Sequence, residues 1–140
     1  MKMINSFTGK YSFLSNMYPH SAIGKSVEHY FQAAKSTSAE DYQYVVDAVD
    51  GYEARARGKK ILMRDDWSEC KEDVMFNELG VKFYVYPSMQ KMLLDTGDEE
   101  LVEGNTWGDR YWGVDIRTGI GENKLGKMLM QIREEIKCKQ

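Results

Sequence analysis

Cysteine, histidine and proline are all scarce in this 140-residue chain, which has two of each. Cys70 and Cys138 lie far apart with no sign of an oxidising destination, so two reduced thiols are expected rather than a disulfide. A structural zinc site would need both cysteines and both histidines (His20, His29), and neither CxxC nor HxxxH spacing occurs. No metal and no cofactor are expected. Long apolar runs are missing too. No stretch approaches the ~20 residues of a membrane span, and the opening Met1 to Ser6 carries a charge without an apolar run behind it, unlike a signal peptide. The expected location is the cytoplasm. With 12 Gly and two Pro the chain is neither collagen-like nor a linker. At 42% hydrophobic residues and a net charge of −3 it is not intrinsically disordered. The slight acidic excess argues against a large, sequence-blind nucleic-acid surface, which would be basic.

What remains fits one domain over residues 1–140, a length that buries a real core. No repeat, low-complexity tract or linker interrupts it. The opening residues up to Gly24 mix aromatics with turn formers and read as short strands or an ordered loop. Ser26 caps a helix expected to run through Lys35. A second helix starts near Ser38 and stops near Asp50-Gly51, and a third covers about 53–63. A fourth carries Val74, Met75, Leu79 and Phe83 and ends at Pro87. Ser88 opens a short helix closed by Thr96-Gly97-Asp98. Leu101 to Glu103 and Tyr111 to Ile116 read as short strands around a turn at 104–109. Leu125, Met128, Leu129, Ile132 and Ile136 mark an amphipathic helix starting near Asn123. The fold class is α+β, mainly α-helical, with a few short strands.

Three segments concentrate chemistry. In Ser26-Val27-Glu28-His29-Tyr30-Phe31-Gln32-Ala33-Ala34-Lys35, helical spacing puts Glu28, Gln32 and Lys35 on one face. Glu28 and Lys35 stand about 10 Å apart along the axis. A stripe of carboxylate, amide and amine suits a substrate pocket and equally suits a plain solvated face. His29 points elsewhere and reads as a packed or exposed ring. In Glu103 to Gly113, the residues Trp107, Asp109, Arg110, Tyr111 and Trp112 sit among three glycines. Aromatic faces there can stack a heterocycle, or a Trp can plug the core. The loop Gly119-Ile120-Gly121-Glu122-Asn123 feeds a helix start that could hold a phosphate, or it is a tight turn with an Asn123 cap. Neither a P-loop nor a dinucleotide fingerprint is present.

Taken in order, these motifs resemble the NADAR family of YbiA-like domains. The matching pieces are Phe13-Leu14-Ser15-Asn16, Ser26 to Lys35, Ala54 to Lys59, Trp67, Val74-Met75, Lys82-Phe83 and Leu94 to Gly97. Glu103, Asp109 to Gly113, Gly121 to Gly126, Leu129-Met130 and Arg133 complete the set. The resemblance spans nearly the whole chain. Three departures stand out: no proline before the third helix at Asp50-Gly51-Tyr52, Lys59 where Arg is usual, and an added Trp107-Gly108 pair.

The resemblance implies a YbiA-like fold and a hydrolase of N-glycosyl compounds. It would cleave a ribose C1′–N bond to an exocyclic amine of a heterocycle. The implied substrate is a phosphoribosylamino-pyrimidine intermediate of riboflavin synthesis, or ADP-ribose on guanine, free or as an adduct on nucleic acid. The alternative is a non-catalytic NAD or ADP-ribose binding module. Glycoside cleavage needs a proton donor to nitrogen and negative charge near C1′. Glu28 and Asp109 are the candidates. Lys35 is the candidate amine for capturing C1′ as a Schiff base, with Lys82 second. Substrate binding is expected from Asn16, Gln32, Lys82, Glu103, Trp107, Tyr111, Trp112, Gly113, Gly121 and Asn123.

Overall fold

The computed structural model describes residues 2–140. Among them are six α-helices, one 3-10 helix and four two-residue strands. This is the mainly helical α+β class expected. Among the described residues no helix is long and apolar enough to cross a membrane. The chain forms two compact units, one contiguous (Asn16–Tyr86) and one built from residues 2–15 with 87–140.

The contiguous unit holds α1 (Val27–Ala33), α2 (Ala39–Val46), α3 (Gly51–Gly58) and α4 (Trp67–Val85). Each of the first three starts on a side-chain cap. Ser38 and Asp50 accept the backbone N–H three residues on, from Asp41 and Glu53. Ser26 goes further, because His29 completes a reciprocal capping box with it. Ala33, Val45, Val46, Ala48 and Ala54 form a buried cluster under Tyr30 and Ile61. These small and β-branched side chains let α1, α2 and α3 approach closely. Met75, Leu79 and Phe83 form the buried stripe of α4, and Phe31 of α1 meets Trp67 with ring centroids 5.0 Å apart.

Three helices differ in extent from expectation. α2 ends at Val46, with Asp47 as its C-cap, rather than near Asp50-Gly51. α1 ends at Ala33, so Lys35 stands in the following turn, its N–H bonded to the Gln32 carbonyl. α3 begins at Gly51 and stops at Gly58 rather than running from 53 to 63, because the Asp50 cap sets its start and Lys59 closes it.

The other unit holds β1 (Met3–Ile4), the 3-10 helix (Gly9–Leu14), α5 (Pro87–Asp95), β2 (Glu100–Leu101), β3 (Gly104–Asn105), β4 (Val114–Asp115) and α6 (Lys124–Cys138). β1 pairs parallel with β2, Met3 opposite Glu100, and β3 pairs parallel with β4, Gly104 opposite Val114. The opening segment thus contains a helical turn as well as a strand. The expected turn at 104–109 starts with strand β3. Leu125, Leu129, Ile132 and Ile136 are the buried stripe of α6. Arg133 on the same helix is also buried, donating to Thr96 Oγ1 and to the Glu99 carbonyl, each at 2.8 Å. Cys70 and Cys138 are both free thiols.

Candidate functional site

The α1 stripe is built by its N-terminus. Ser26 N–H donates to His29 Nδ1 at 3.0 Å, which fixes that nitrogen as an acceptor and leaves the proton on Nε2. Nε2 then donates to the Ala48 carbonyl at 2.9 Å. His29 therefore ties the start of α1 to the segment after α2, and burial holds its pKa below the ordinary histidine value. It is a structural ring, and its neighbour Glu28 inherits a fixed position.

Glu28 is 4% exposed. Its backbone N–H donates to the Asn16 carbonyl at 3.0 Å. The carboxyl meets Gln32 Nε2 at 3.5 Å and the Arg55 guanidinium of α3 at 3.4 Å. Both contacts are long beside the ~2.7–2.9 Å of a strong charge-assisted bond. Burial therefore outweighs Arg55, Gln32 and Lys35, and pushes the Glu28 pKa up. Lys35 moves the opposite way: burial lowers its ammonium pKa, against the pull of Glu28. Its Nζ lies 6.0 Å from the Trp67 ring centroid. Burial thus favours the neutral form of both this carboxyl and this amine.

The approach of α3 to this face depends on small residues. A Cβ on Gly58 would overlap Gln32 Oε1, and one on Gly51 would crowd Met17, Ser26 and Glu28. Arg55 lies between these glycines and so reaches Glu28. Arg55 is not among the expected site residues; the signal that marks it is its place between Gly51 and Gly58, with Ala54, on one helical stripe.

Asn16, whose carbonyl accepts from Glu28, and Lys82 belong to the same unit. Asn16 Nδ2 contacts Met75 Sδ at 3.4 Å. Lys82 is fully buried on α4, its Nζ 5.7 Å from the Tyr18 ring centroid and 5.1 Å from that of Phe83. Burial lowers its pKa from 10.5 to about 7. Burial, then Lys82 itself, lowers that of His20 to about 4.

In the two-part unit, the Glu103 to Gly113 segment is an organised loop. Asn105, absent from the expected site, is its hub. Its Nδ2 donates to the carbonyls of Asp109 (2.8 Å) and Val114 (3.2 Å), and its Oδ1 accepts from Asp109 N–H at 2.9 Å. Asp109 Oδ1 accepts the N–H groups of Tyr111 and Trp112, both at 3.0 Å. The rings of Tyr111 and Trp112 meet edge to face at 4.9 Å. Trp107 is 72% exposed, so it does not plug the core and can stack on a partner. Gly113 is a close approach, since a Cβ there would overlap the Glu103 carbonyl.

The helix start at α6 is not open. The N–H groups of Glu122, Asn123, Lys124 and Leu125 already donate to the carbonyls of Arg110, Gly113, Tyr111 and Trp112. Asn123 has left-handed backbone (φ 52°) and makes no side-chain cap. Its amide accepts from Glu103 N–H and donates to the Leu101 carbonyl, each at 3.0 Å. Gly121 packs against the Gly113 carbonyl. The expected phosphate cradle at Gly121 and Asn123 is thus closed by the chain's own carbonyls. A cleft of about 190 Å³ in this unit, lined by Lys10, Tyr11, Phe13, Met92, Asp95, Thr96 and Glu99, contains none of the expected residues. Among the described residues no group of three or more His, Cys, Asp or Glu could hold a metal ion.

Comparison with known proteins finds named relatives. An N-glycosidase of Nostoc punctiforme is 36% identical over 137 residues, covering 91% of this chain and 86% of that protein. The riboflavin biosynthesis protein PYRR of Zea mays is 38% identical over 123 residues, 79% of this chain; this chain spans only 19% of that longer protein. N-glycosidase YbiA of Escherichia coli is 38% identical over 112 residues, covering 78% of this chain and 68% of YbiA. The solution structure of E. coli YbiA superimposes with a TM-score of 0.81 at 31% identity, covering 99% of this chain and 88% of that one. A profile of the NADAR domain matches residues 5–137. This chain belongs to the NADAR domain family.

Proposed function

We propose that this protein is an N-glycosidase that hydrolyses the ribose C1′–N bond to an exocyclic amine of a heterocycle. The observation that carries the reading is Glu28: a carboxyl buried at the start of α1, loosely contacted, with its pKa raised, and beside Lys35. Burial favours the protonated form of this group, which can deliver that proton to the leaving nitrogen. As the C1′–N bond breaks, its electron pair goes to the protonated nitrogen. Water adds to C1′, and the Glu28 carboxylate takes the proton that water gives up. The products are the heterocyclic amine and the ribose. Asp109, held by the Tyr111 and Trp112 N–H groups, is proposed as a further carboxylate of the reaction. Trp107, Tyr111 and Trp112 are the proposed stacking surface, flanked by Glu103 and Gly113.

Relatives named as N-glycosidases do not favour a purely binding module. A relative named for riboflavin biosynthesis supports a phosphoribosylamino-pyrimidine as substrate, with ADP-ribose on guanine, free or in nucleic acid, as the competing source of the same bond. Incubation with both substrates and detection of released ribose 5-phosphate or ADP-ribose tests the reading. Release of neither would overturn it.

The role of Lys35 follows from a second measurement. An exocyclic amine can open the sugar to an imine, and Lys35 could capture C1′ there if it is partly neutral. On that route Lys35→Arg is expected to be as inactive as Lys35→Ala, because guanidinium stays protonated. Borohydride during turnover would also leave a stable adduct on Lys35. An active Lys35→Arg enzyme without adduct leaves direct water attack assisted by Glu28.

A further inference from the structure

The closure of the α6 start by its own loop leaves the substrate's phosphate without the seat expected there, so the cations of the Glu28 face gain interest. α1 and α3 lie side by side in parallel register. Gly51 and Arg55 face Glu28, and Gly58 faces Gln32. Continuing that register brings Lys35, in the turn after α1, level with Lys59, the C-cap of α3. Arg55 lies one helical turn before Lys59, its side chain 47% exposed. It touches Glu28 through one terminal nitrogen at 3.4 Å. Gln32 Oε1 is buried with no hydrogen-bond partner. Three cations thus converge on the rim of a face whose one carboxyl is buried.

We infer that the C-terminal ends of α1 and α3 form an anion subsite that takes the phosphoryl group of the substrate, with Lys35, Arg55 and Lys59 as its cations. The inference rests on the N-glycosidase reading for the identity of the substrate, though not for the affinity for an anion. Mutual electrostatics fit. Lys59 and Arg55 both disfavour the charge on Lys35, as like charges sharing one space do. Glu28 pulls the other way, more strongly than either cation alone. An arriving phosphoryl group would relieve that repulsion, and Arg55 can offer a two-pronged donor set to its oxygens.

The test is calorimetric titration of ribose 5-phosphate, ADP-ribose and unphosphorylated ribose into the wild-type protein, Lys59→Glu, Lys59→Arg and Arg55→Gln. Ribose 5-phosphate is expected to bind wild type at least about ten-fold more tightly than ribose, and Lys59→Glu and Arg55→Gln to lose about ten-fold each. Lys59→Arg should keep wild-type affinity, and added salt should weaken binding. Tighter binding of ADP-ribose than of ribose 5-phosphate would identify a diphosphate as the preferred anion; the reverse would identify a phosphomonoester. Equal affinity of all four proteins for ribose 5-phosphate would overturn the subsite, as would wild-type affinity no better than for ribose. Turnover measured alongside separates the two claims. A protein that binds ribose 5-phosphate through these residues but releases no base keeps the subsite and loses the glycosidase reading. A working glycosidase whose KM for a phosphorylated substrate is unmoved by Lys59→Glu loses the subsite.

Discussion

Glu28→Gln is expected to lower turnover by about 10²-fold or more, the scale of a lost acid–base group, while making the folded protein more stable at neutral pH. The two effects share one cause. Burial raises the Glu28 pKa above its ordinary value of 4.5, so the folded state prefers the neutral carboxyl. Below the unfolded pKa both states are protonated and the fold carries no penalty. As pH rises through the folded pKa, the unfolded chain ionises freely and the folded one only at a cost, so stability falls. Glutamine has nearly the same shape and cannot ionise, so it removes that cost. The gain in Tm should therefore be absent well below pH 4.5, grow as pH rises from 4.5 to the raised pKa and level off above it, on the order of a few degrees per kcal/mol. Melting curves across pH, beside turnover of the same folded variant, check both halves. Wild-type turnover in folded Glu28→Gln would remove Glu28 from catalysis.

Lys82→Met should produce the other large effect, on the pH dependence of stability. Burial moves the Lys82 pKa from 10.5 to about 7. Between those values the unfolded chain binds a proton that the folded chain does not, so wild-type stability should climb with pH across this window. At ~1.4 kcal/mol per pKa unit, the climb has a ceiling of about 5 kcal/mol. Methionine occupies similar volume between the Tyr18 and Phe83 rings and carries no charge, so this slope should vanish. The benefit of the substitution should be greatest near pH 6 and fade above pH 10.5. Denaturant titrations from pH 6 to 10 provide the measurement, and parallel curves for the two proteins would refute the account. Because Lys82 is also a proposed substrate contact, folded Lys82→Met should lose turnover as well.

The sequence made some of this legible and hid the rest, for identifiable reasons. Periodicity located the buried stripe of α6 and the Glu28–Gln32–Lys35 stripe, because both are local to one helix. The fourth helix and its stop at Pro87 were equally visible, since proline acts on its own neighbourhood. Arg55 was not, because its meaning depends on the distance between two helices, and glycine at 51 and 58 reads as a weakness until the partner helix is known. His29 looked like an isolated ring, although it completes a capping box that usually takes a carboxylate or amide side chain. The short strands were misplaced because each is only two residues long and pairs parallel with a distant one, leaving no alternation to detect. The phosphate cradle at Gly121 to Lys124 failed for a similar reason. Only the fold shows that the carbonyls of 110–113 already occupy those N–H groups.

The parallel pairing of Met3 with Glu100 also bears on how the chain acquires its structure. Residues 16–86 form a contiguous body whose helices meet their neighbours over short separations, so they can assemble early. The first strand has nothing to pair with until almost a hundred residues later, and closing that loop carries an entropic cost before any contact repays it. Pulse-labelled hydrogen exchange during refolding should therefore find α1 to α4 protected ahead of β1, β2 and α6. Simultaneous protection of both sets would instead indicate one cooperative nucleus spanning the whole chain. If the order holds, the amide of Val102, which donates to the Ile4 carbonyl, acts as a late clock: its protection reports the moment the opening residues are captured.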